Sequence, residues 1–448
     1  MQRLFPGWRT STAVGFAISL FAYCSDITEV TILAEENVPS SVKSAPATHR
    51  QQKVLTVAKV EAGEKLEDFC LDSKGRILAL LGPNDQSPSG IALPAVPGIS
   101  AGQQPKFESA VHVFDATGHL VAKWAVGFSG QAINTAPDGT VLIGGDGHVA
   151  RFSPEGKKLQ EAESPQMTYI HNNKEEMQER AKEQLESDRL TFSEQVKQFE
   201  EQLKEIRESK KTQPATKKDV KPSEPAEEGE VSQLDERQLA QILESYKQHL
   251  KNLETKTVEQ ALQEVLGRAK RTHSITASDS DVFVSCPALA GYGFGVWRTD
   301  DKFGKAKEVI KSLSGCCGQM DVQCCNGELY VCENSRHRVI RFDRDGKEIG
   351  QFGKRDRTGE GENFGGCCNP MNLCFTKDGN LYVSESNGVV KHFTPAGKYL
   401  GIVGIAEVQP GCKNSCVGVT GDDKQLFYID VYKSQIIHLT RDQAGDTQ

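Results

Sequence analysis

The sequence predicts an all-β protein, a six-bladed β-propeller with an α-helical coiled-coil hairpin inserted in its third blade. Three observations carry the prediction. A strand-turn-strand pattern recurs along the 448 residues, reading NGELYVCENSRHRVIRFDRDGKEIGQFG from Asn326, DGNLYVSESNGVVKHFTPAGKYLGIVG from Asp378 and DGTVLIGGDGHVARFSPEGKKL from Asp138. Turn glycines at equivalent places, Gly118, Gly156, Gly346 and Gly397, are separated by 38, 190 and 51 residues. Residues 173–272 have a different period altogether, with 41 of 100 residues charged. Removing about 100 inserted residues from the long interval leaves room for two units of the 40–50 residues that a four-stranded propeller sheet uses.

From the start of the chain, Arg3 and Arg9 precede an apolar run from Ser11 to Cys24, the pattern of an export signal and short of a spanning helix. Residues 1–24 are therefore read as a signal peptide or an uncleaved signal anchor, which predicts an exported protein, periplasmic or associated with the cell envelope and touching membrane only there. Cys24 is a lipidation candidate, although Tyr23 departs from the small residue such a site prefers. Residues 25–53, polar and low in apolar surface, read as a linker. Leu55 to Val60 supplies a strand that completes the last blade.

Residues 54–165 then hold blades one and two and the start of blade three. Phe69–Leu80 and Val111–Val121 form the two halves of the first unit. Across 166–272 the period changes. Leu185, Phe192, Phe199 and Ile206 recur every seven residues, with Val196 and Leu203 on the same stripe, the spacing that buries a narrow seam between two helices. The proline-bearing charged tract 211–231 cannot continue a helix and reads as a disordered turn. Leu239, Leu243, Tyr246, Leu250 and Leu253, then Ala261, Val265 and Arg268, mark a returning helix, interrupted at Thr257. The result is an antiparallel hairpin about 55 Å long, read as a solvated arm or as an arm that docks another protein or a second copy. Blades three to six occupy 273–442, Asp279–Leu313 fills the third, Asp422–Asp442 is a degenerate sixth, and 443–448 is a tail.

LYVCENSRHRVIRFDRDGKEIGQFG and its Asp378 counterpart resemble NHL repeats, the units of six-bladed NHL propellers. The first has the LYV strand, the Arg-Val pair ahead of Phe-Asp, and the Gly-Lys turn; the second has Val-Val instead of Arg-Val. The resemblance spans roughly 54–165 and 272–442. It implies an exported bacterial binding or scaffold module, with an unknown ligand at the channel mouth. Some similar propellers are enzymes, a zinc-dependent lyase and calcium-dependent lactonases among them.

Composition narrows the field further. With a net charge of −8, the chain lacks the basic surface that counterion release from nucleic acid requires. His392 and His438 share one position before the third-strand Phe or Leu, where Arg151 and Arg341 stand in other blades, and His112 lies one residue out of step. Third-strand places on separate blades cannot share an ion, so these read as half-exposed strand residues; His148 and His337 read as surface turn residues. Asp321 and Asn372 match in position without completing a calcium set. No nucleophile elbow, phosphate loop or dinucleotide fingerprint is present. Catalysis is not expected, and no cofactor.

The cysteines, 13 in all, have an address. Cys316 and Cys317 stand in GCCGQM and Cys367 and Cys368 in GCCNPM, each pair after a glycine and followed by Met320 or Met371; Cys412 and Cys416 stand in GCKNSC, with Cys416 at the methionine position. These six flank the innermost strands of blades four to six, at the mouth of the channel. They read as disulfides between neighbouring loops, as thiolate ligands of a soft transition metal or iron–sulfur cluster in a metal- or redox-active propeller, or as small core residues. A metal-dependent lyase- or hydrolase-like propeller is the remaining alternative.

Overall fold

The computed structural model describes residues 47–59, 63–83, 108–212, 236–289, 291–316, 318–409, 411 and 414–442. The expected signal or anchor, Cys24, most of the linker, most of the 211–231 turn, Cys317, Cys412 and the tail lie outside the described residues.

The described residues form six four-stranded antiparallel sheets. β1 (His49–Thr56) belongs to the sixth sheet, and the first runs β2 (Glu64–Leu71), β3 (Ile77–Pro83), β4 (Ala110–Phe114), β5 (Leu120–Ala125). The second is β6 (Ala132–Thr135), β7 (Val141–Gly145), β8 (His148–Phe152), β9 (Lys158–Glu163). The third is β10 (Ser274–Ala277), β11 (Asp281–Pro287), β12 (Phe294–Asp300), β13 (Lys307–Leu313). The fourth is β14 (Val322–Cys325), β15 (Glu328–Glu333), β16 (Arg338–Asp343), β17 (Glu348–Phe352). The fifth is β18 (Asn372–Phe375), β19 (Leu381–Ser384), β20 (Val389–Phe393), β21 (Tyr399–Ile405). The sixth is β22 (Val417–Val419), β23 (Gln425–Asp430), β24 (Gln435–Arg441), completed by β1.

The innermost strands β2, β6, β10, β14, β18 and β22 pack each on the next, and β22 packs on β2, so the sheets form a closed cycle, a propeller. A sheet that is apolar on both faces needs a neighbour on each side, and each junction has its own core. Leu80 and Val113 meet Ile143 and Phe152 between the first and second sheets, and Phe427 and Ile429 meet Leu66 and Phe69 between the sixth and first. Polar side chains on the inner strands tie the cycle by accepting amide hydrogens from the next sheet. Asp68 accepts from Ile133 at 3.0 Å, Ser274 from Val322 at 2.8 Å, Asp321 from Leu373 at 2.8 Å and Asn372 from Val417 at 2.9 Å. Short inner strands leave such amides without a ladder partner, and a buried amide must find an acceptor. The repeat of the turn glycines has a steric cause: Gly346 has φ +85°, and a Cβ there would lie 1.8 Å from the carbonyl oxygen of Val309 in the third sheet.

Two boundaries differ from those predicted by the sequence. The closing strand starts at His49, six residues before Leu55, because His49 to Leu55 pair along Ile436–Arg441 and take residues 49–53 out of the linker. The helical segment lies between two complete sheets and not inside the third: β9 finishes the second sheet at Glu163 and β10 opens the third at Ser274.

That segment comprises α1 (Pro165–Asn172), α2 (Lys174–Thr212), α3 (Glu236–Thr255) and α4 (Val258–Ala269). At 39 residues, α2 is about 58 Å long. Its inner part, with Met177, Ala181 and Leu185, shares a core with α4 and with Cys286 and Trp297 of the third sheet, and Tyr169 packs on Trp297 at 5.2 Å between centroids. Its outer part, Val196 and Leu203, packs on Leu239 and Leu243 of α3, with no sheet residue in that cluster. The predicted interruption at Thr257 is a capping box: the Thr257 hydroxyl accepts from the Gln260 amide, and Gln260 Oε1 accepts from the Thr257 amide. Arg189 spans the break, donating to the carbonyls of Leu253 and Lys256, both at 2.9 Å.

Candidate functional site

Two connectors bring Cys316 and the pair Cys367 and Cys368 together, β13 to β14 in the first case and β17 to β18 in the second. The Sγ atoms of Cys316, Cys367 and Cys368 lie within 4.8 Å of one another. Cys368 is buried, Cys316 half-buried and Cys367 exposed, so the group reaches from the core to solvent. The glycine ahead of the first pair is sterically required: a Cβ on Gly315 would stand 2.3 Å from Phe294 Cε2 and 2.8 Å from Met320 Cε.

Each connector is pinned by buried polar groups at the end of its sheet's second strand. In the fourth sheet, the Asn334 carboxamide takes the Cys316 amide at 2.7 Å and donates to the carbonyls of Cys316 and Gln319 at 3.3 and 3.0 Å. Glu333, beside it and 1% exposed, accepts from the Ser314 amide at 2.9 Å and from Arg338 Nε at 2.5 Å. In the fifth sheet, Glu385 occupies the place of Glu333 and pairs with Lys391 at 2.7 Å, both side chains buried. Burial raises the Glu385 carboxyl above its ordinary range, against the pull of Lys391. Lys391 Nζ also donates to the carbonyls of Gly359 (2.7 Å) and Asn363 and lies over the Phe364 ring, which straps the 354–369 connector to the sheet. Asn369, next to Cys368, donates to Gly365 O at 2.7 Å and accepts from the Ser386 amide at 2.7 Å.

The other predicted residues are placed elsewhere. Cys416 does not join the group: its thiol donates to the Phe69 carbonyl at 3.2 Å inside the core between the sixth and first sheets. Burial pushes that thiol well above the ordinary cysteine range. It does not stand at the methionine position: Val417 pairs at the register of Val322 and Leu373, so Cys416 takes the place of Asp321 and Asn372, and Ser415 stands where Met320 and Met371, both fully buried, stand in their own sheets.

The channel is crossed by side chains that sequence reasoning missed. Gln319 Nε2 donates to the Ser415 carbonyl at 2.7 Å and Gln319 Oε1 accepts the Ser415 amide at 3.0 Å, joining the fourth sheet to the sixth. Asn134 Nδ2 donates to Gln323 Oε1 at 2.8 Å, joining the second to the fourth. Around them, burial raises Asp321 to about 7 and Asp68 to about 6, and the charge of Asp68 adds to the rise at Asp321. Nothing in the repeat pattern marks Gln319, Asn134 or Gln323, because each bond joins sheets that are not neighbours.

The shared histidine position is a stacking position. His392 lies 4.7 Å from Tyr382 with planes 5° apart, and His438 lies 4.7 Å from Phe427 with planes 10° apart; Arg341 covers Tyr330 at the same register. His438 and His112 are buried and not half-exposed, and burial lowers His438 to about 4. His337, read from the sequence as a surface turn residue, is buried in a left-handed turn conformation. Beside the base of the arm, a cavity of about 360 Å³ is lined by His148, Glu163, Met167, His171, Leu266 and Lys270, among others.

No protein-family model matches the chain, and no curated protein sequence matches it. Similar solved structures include a gluconolactonase from Xanthomonas campestris, at 10% identity over 89% of this chain and 98% of that one, TM-score 0.40. A calcium-binding regucalcin from Agrobacterium tumefaciens is similar at 11% identity over 89% and 96%, TM-score 0.40. A catalytically inactive virginiamycin B lyase from Staphylococcus aureus is similar at 10% identity over 87% and 99%, TM-score 0.38. These likenesses are remote, and the propeller described above stands on the cycle of sheets in this chain.

Proposed function

We propose that this chain is an exported six-bladed propeller of the NHL type that works as a binding and scaffold module in the cell envelope, engaging another protein or a second copy through its helical arm. The observation that carries the reading is the construction of the arm. Its base is fixed to the third sheet through Trp297, Tyr169, Met177 and Leu185, while its outer half closes its own apolar seam and packs on no sheet. A long element held rigid at one end and released from the core at the other serves recognition better than it serves stability. The channel supports the same reading, since Asp68, Asp321 and Asn372 accept backbone amides and Gln319 and Asn134 reach across the axis.

The test compares the intact protein with a variant in which 173–272 is replaced by a short flexible link, after circular dichroism shows that both fold. Crosslinking in envelope extracts and sedimentation of the purified protein should lose a specific complex or a dimer when the arm is removed. Identical assemblies with and without the arm would refute the reading.

A further inference from the structure

We propose that Cys316, Cys367 and Cys368 form a three-thiolate site for a soft d10 cation, of which monovalent copper fits best. This goes beyond the scaffold reading and does not depend on it. Three sulfurs around one soft ion at about 2.3 Å stand about 3.8–4.0 Å apart, whether the ion is trigonal or tetrahedral. The three Sγ atoms lie within 4.8 Å of one another, so small side-chain rotations bring them onto one ion. Among the described residues this is the group of three metal-ligating side chains gathered so closely.

Chemistry selects the kind of ion. The three groups are all sulfur, and an all-sulfur set favours monovalent copper and zinc over calcium, magnesium or manganese. Zinc completes a tetrahedron with a fourth ligand, whereas monovalent copper is satisfied by the three sulfurs gathered among the described residues.

The scaffold around the sulfurs is that of a site fixed before the ion arrives. The Cys316 backbone is held on both its amide and its carbonyl by Asn334, and the Cys367–Cys368 connector is strapped by Lys391, Glu385 and Asn369. Such supporting bonds are what keep ligands in place and tune a metal site. Cys367 is exposed and gives the ion a way in. Binding exchanges the three thiol protons for the ion and releases them to solvent, with no change in oxidation state of sulfur or metal.

The experiment uses the full chain, reduced and kept free of oxygen, titrated with monovalent copper held in a competing chelator. The expected result is uptake of one equivalent, with Cys316, Cys367 and Cys368 together protected from alkylation as read by mass spectrometry of the digested protein. Cys367→Ser, at an exposed position that leaves folding intact, should weaken uptake at least tenfold, and Cys325→Ser, outside the group, should leave it unchanged. No uptake by the reduced protein, uptake unaltered in Cys367→Ser, or protection of other cysteines in place of these three would each overturn the proposal.

Discussion

The Gln319 side chain and the Ser415 backbone share two hydrogen bonds across the propeller, the Ser415 amide to Oε1 at 3.0 Å and Nε2 to the Ser415 carbonyl at 2.7 Å, so that one carboxamide stands in for a peptide group between the fourth and sixth sheets. Both residues are buried, Gln319 at 8% and Ser415 at 1% exposure. Gln319→Ala should therefore destabilise the protein by about 1–3 kcal/mol for each orphaned group. Urea denaturation followed by tryptophan fluorescence measures it; a loss below about 0.5 kcal/mol would mean that the pair contributes little.

Asp321 sets a pH dependence with a definite sign. Its carboxyl is raised to about 7 in the folded protein, against about 3.9 in an unfolded chain, so the folded state holds the extra proton through that interval. Stability from this group is greatest at low pH and falls as pH rises from about 4 to about 7, by on the order of 4 kcal/mol. Asp68, raised to about 6, acts in the same direction. Melting temperatures of the native protein and of Asp321→Asn at pH 5 and pH 8 test it: the native value should drop more between the two than the variant's.

Lys391→Met leaves Glu385 buried with its charge uncompensated and removes the donor to Gly359 and Asn363. Breaking a buried pair from one side costs about 3–5 kcal/mol. Hydrogen exchange should rise across 354–369 first, since that connector loses its strap, and adding Glu385→Gln should recover part of the loss. Equal exchange in the connector of the variant and the native protein would show that Lys391 does not hold it.

Thr257→Ala removes half of the capping box that restarts the returning helix as α4. The expected cost is about 1 kcal/mol, seen as faster amide exchange at Gln260 and Ala261 with the sheets unaffected.

How much of this was legible depends on what kind of signal each feature leaves. The sheets were readable because an alternating strand and a glycine at φ +85° leave a period of two and a fixed spacing, as at Gly346. The arm was assigned to the inside of the third blade because β9, KLQEAE, which completes the second sheet, is an outermost strand exposed or half-exposed throughout, and its composition blends into the charged helices that follow. The gathering of Cys316 with Cys367 and Cys368 follows the repeated Gly-Cys-Cys address. Cys416 broke that address because the sixth sheet has one residue fewer between its glycine, Gly411, and its inner strand, so counting from the glycine misplaces Cys416 by one position and hides that it shares the register of Asp321 and Asn372. The cross-channel amides left no trace, since Gln319 and Ser415 are 96 residues apart and belong to no common pattern.

The pairing of β1 with β24 has a consequence for the life of the chain on the ribosome. His49 pairs with Arg441, so β1 waits, unpaired, until β24 has been synthesised almost 400 residues later. Until then, the sixth sheet lacks its outer strand and β1 presents an open edge of the kind that recruits other chains. A protein terminated early at any point before β24 keeps that edge for good. The latch thus closes only once β24 has been made, and a product cut short of it leaves β1 without its partner.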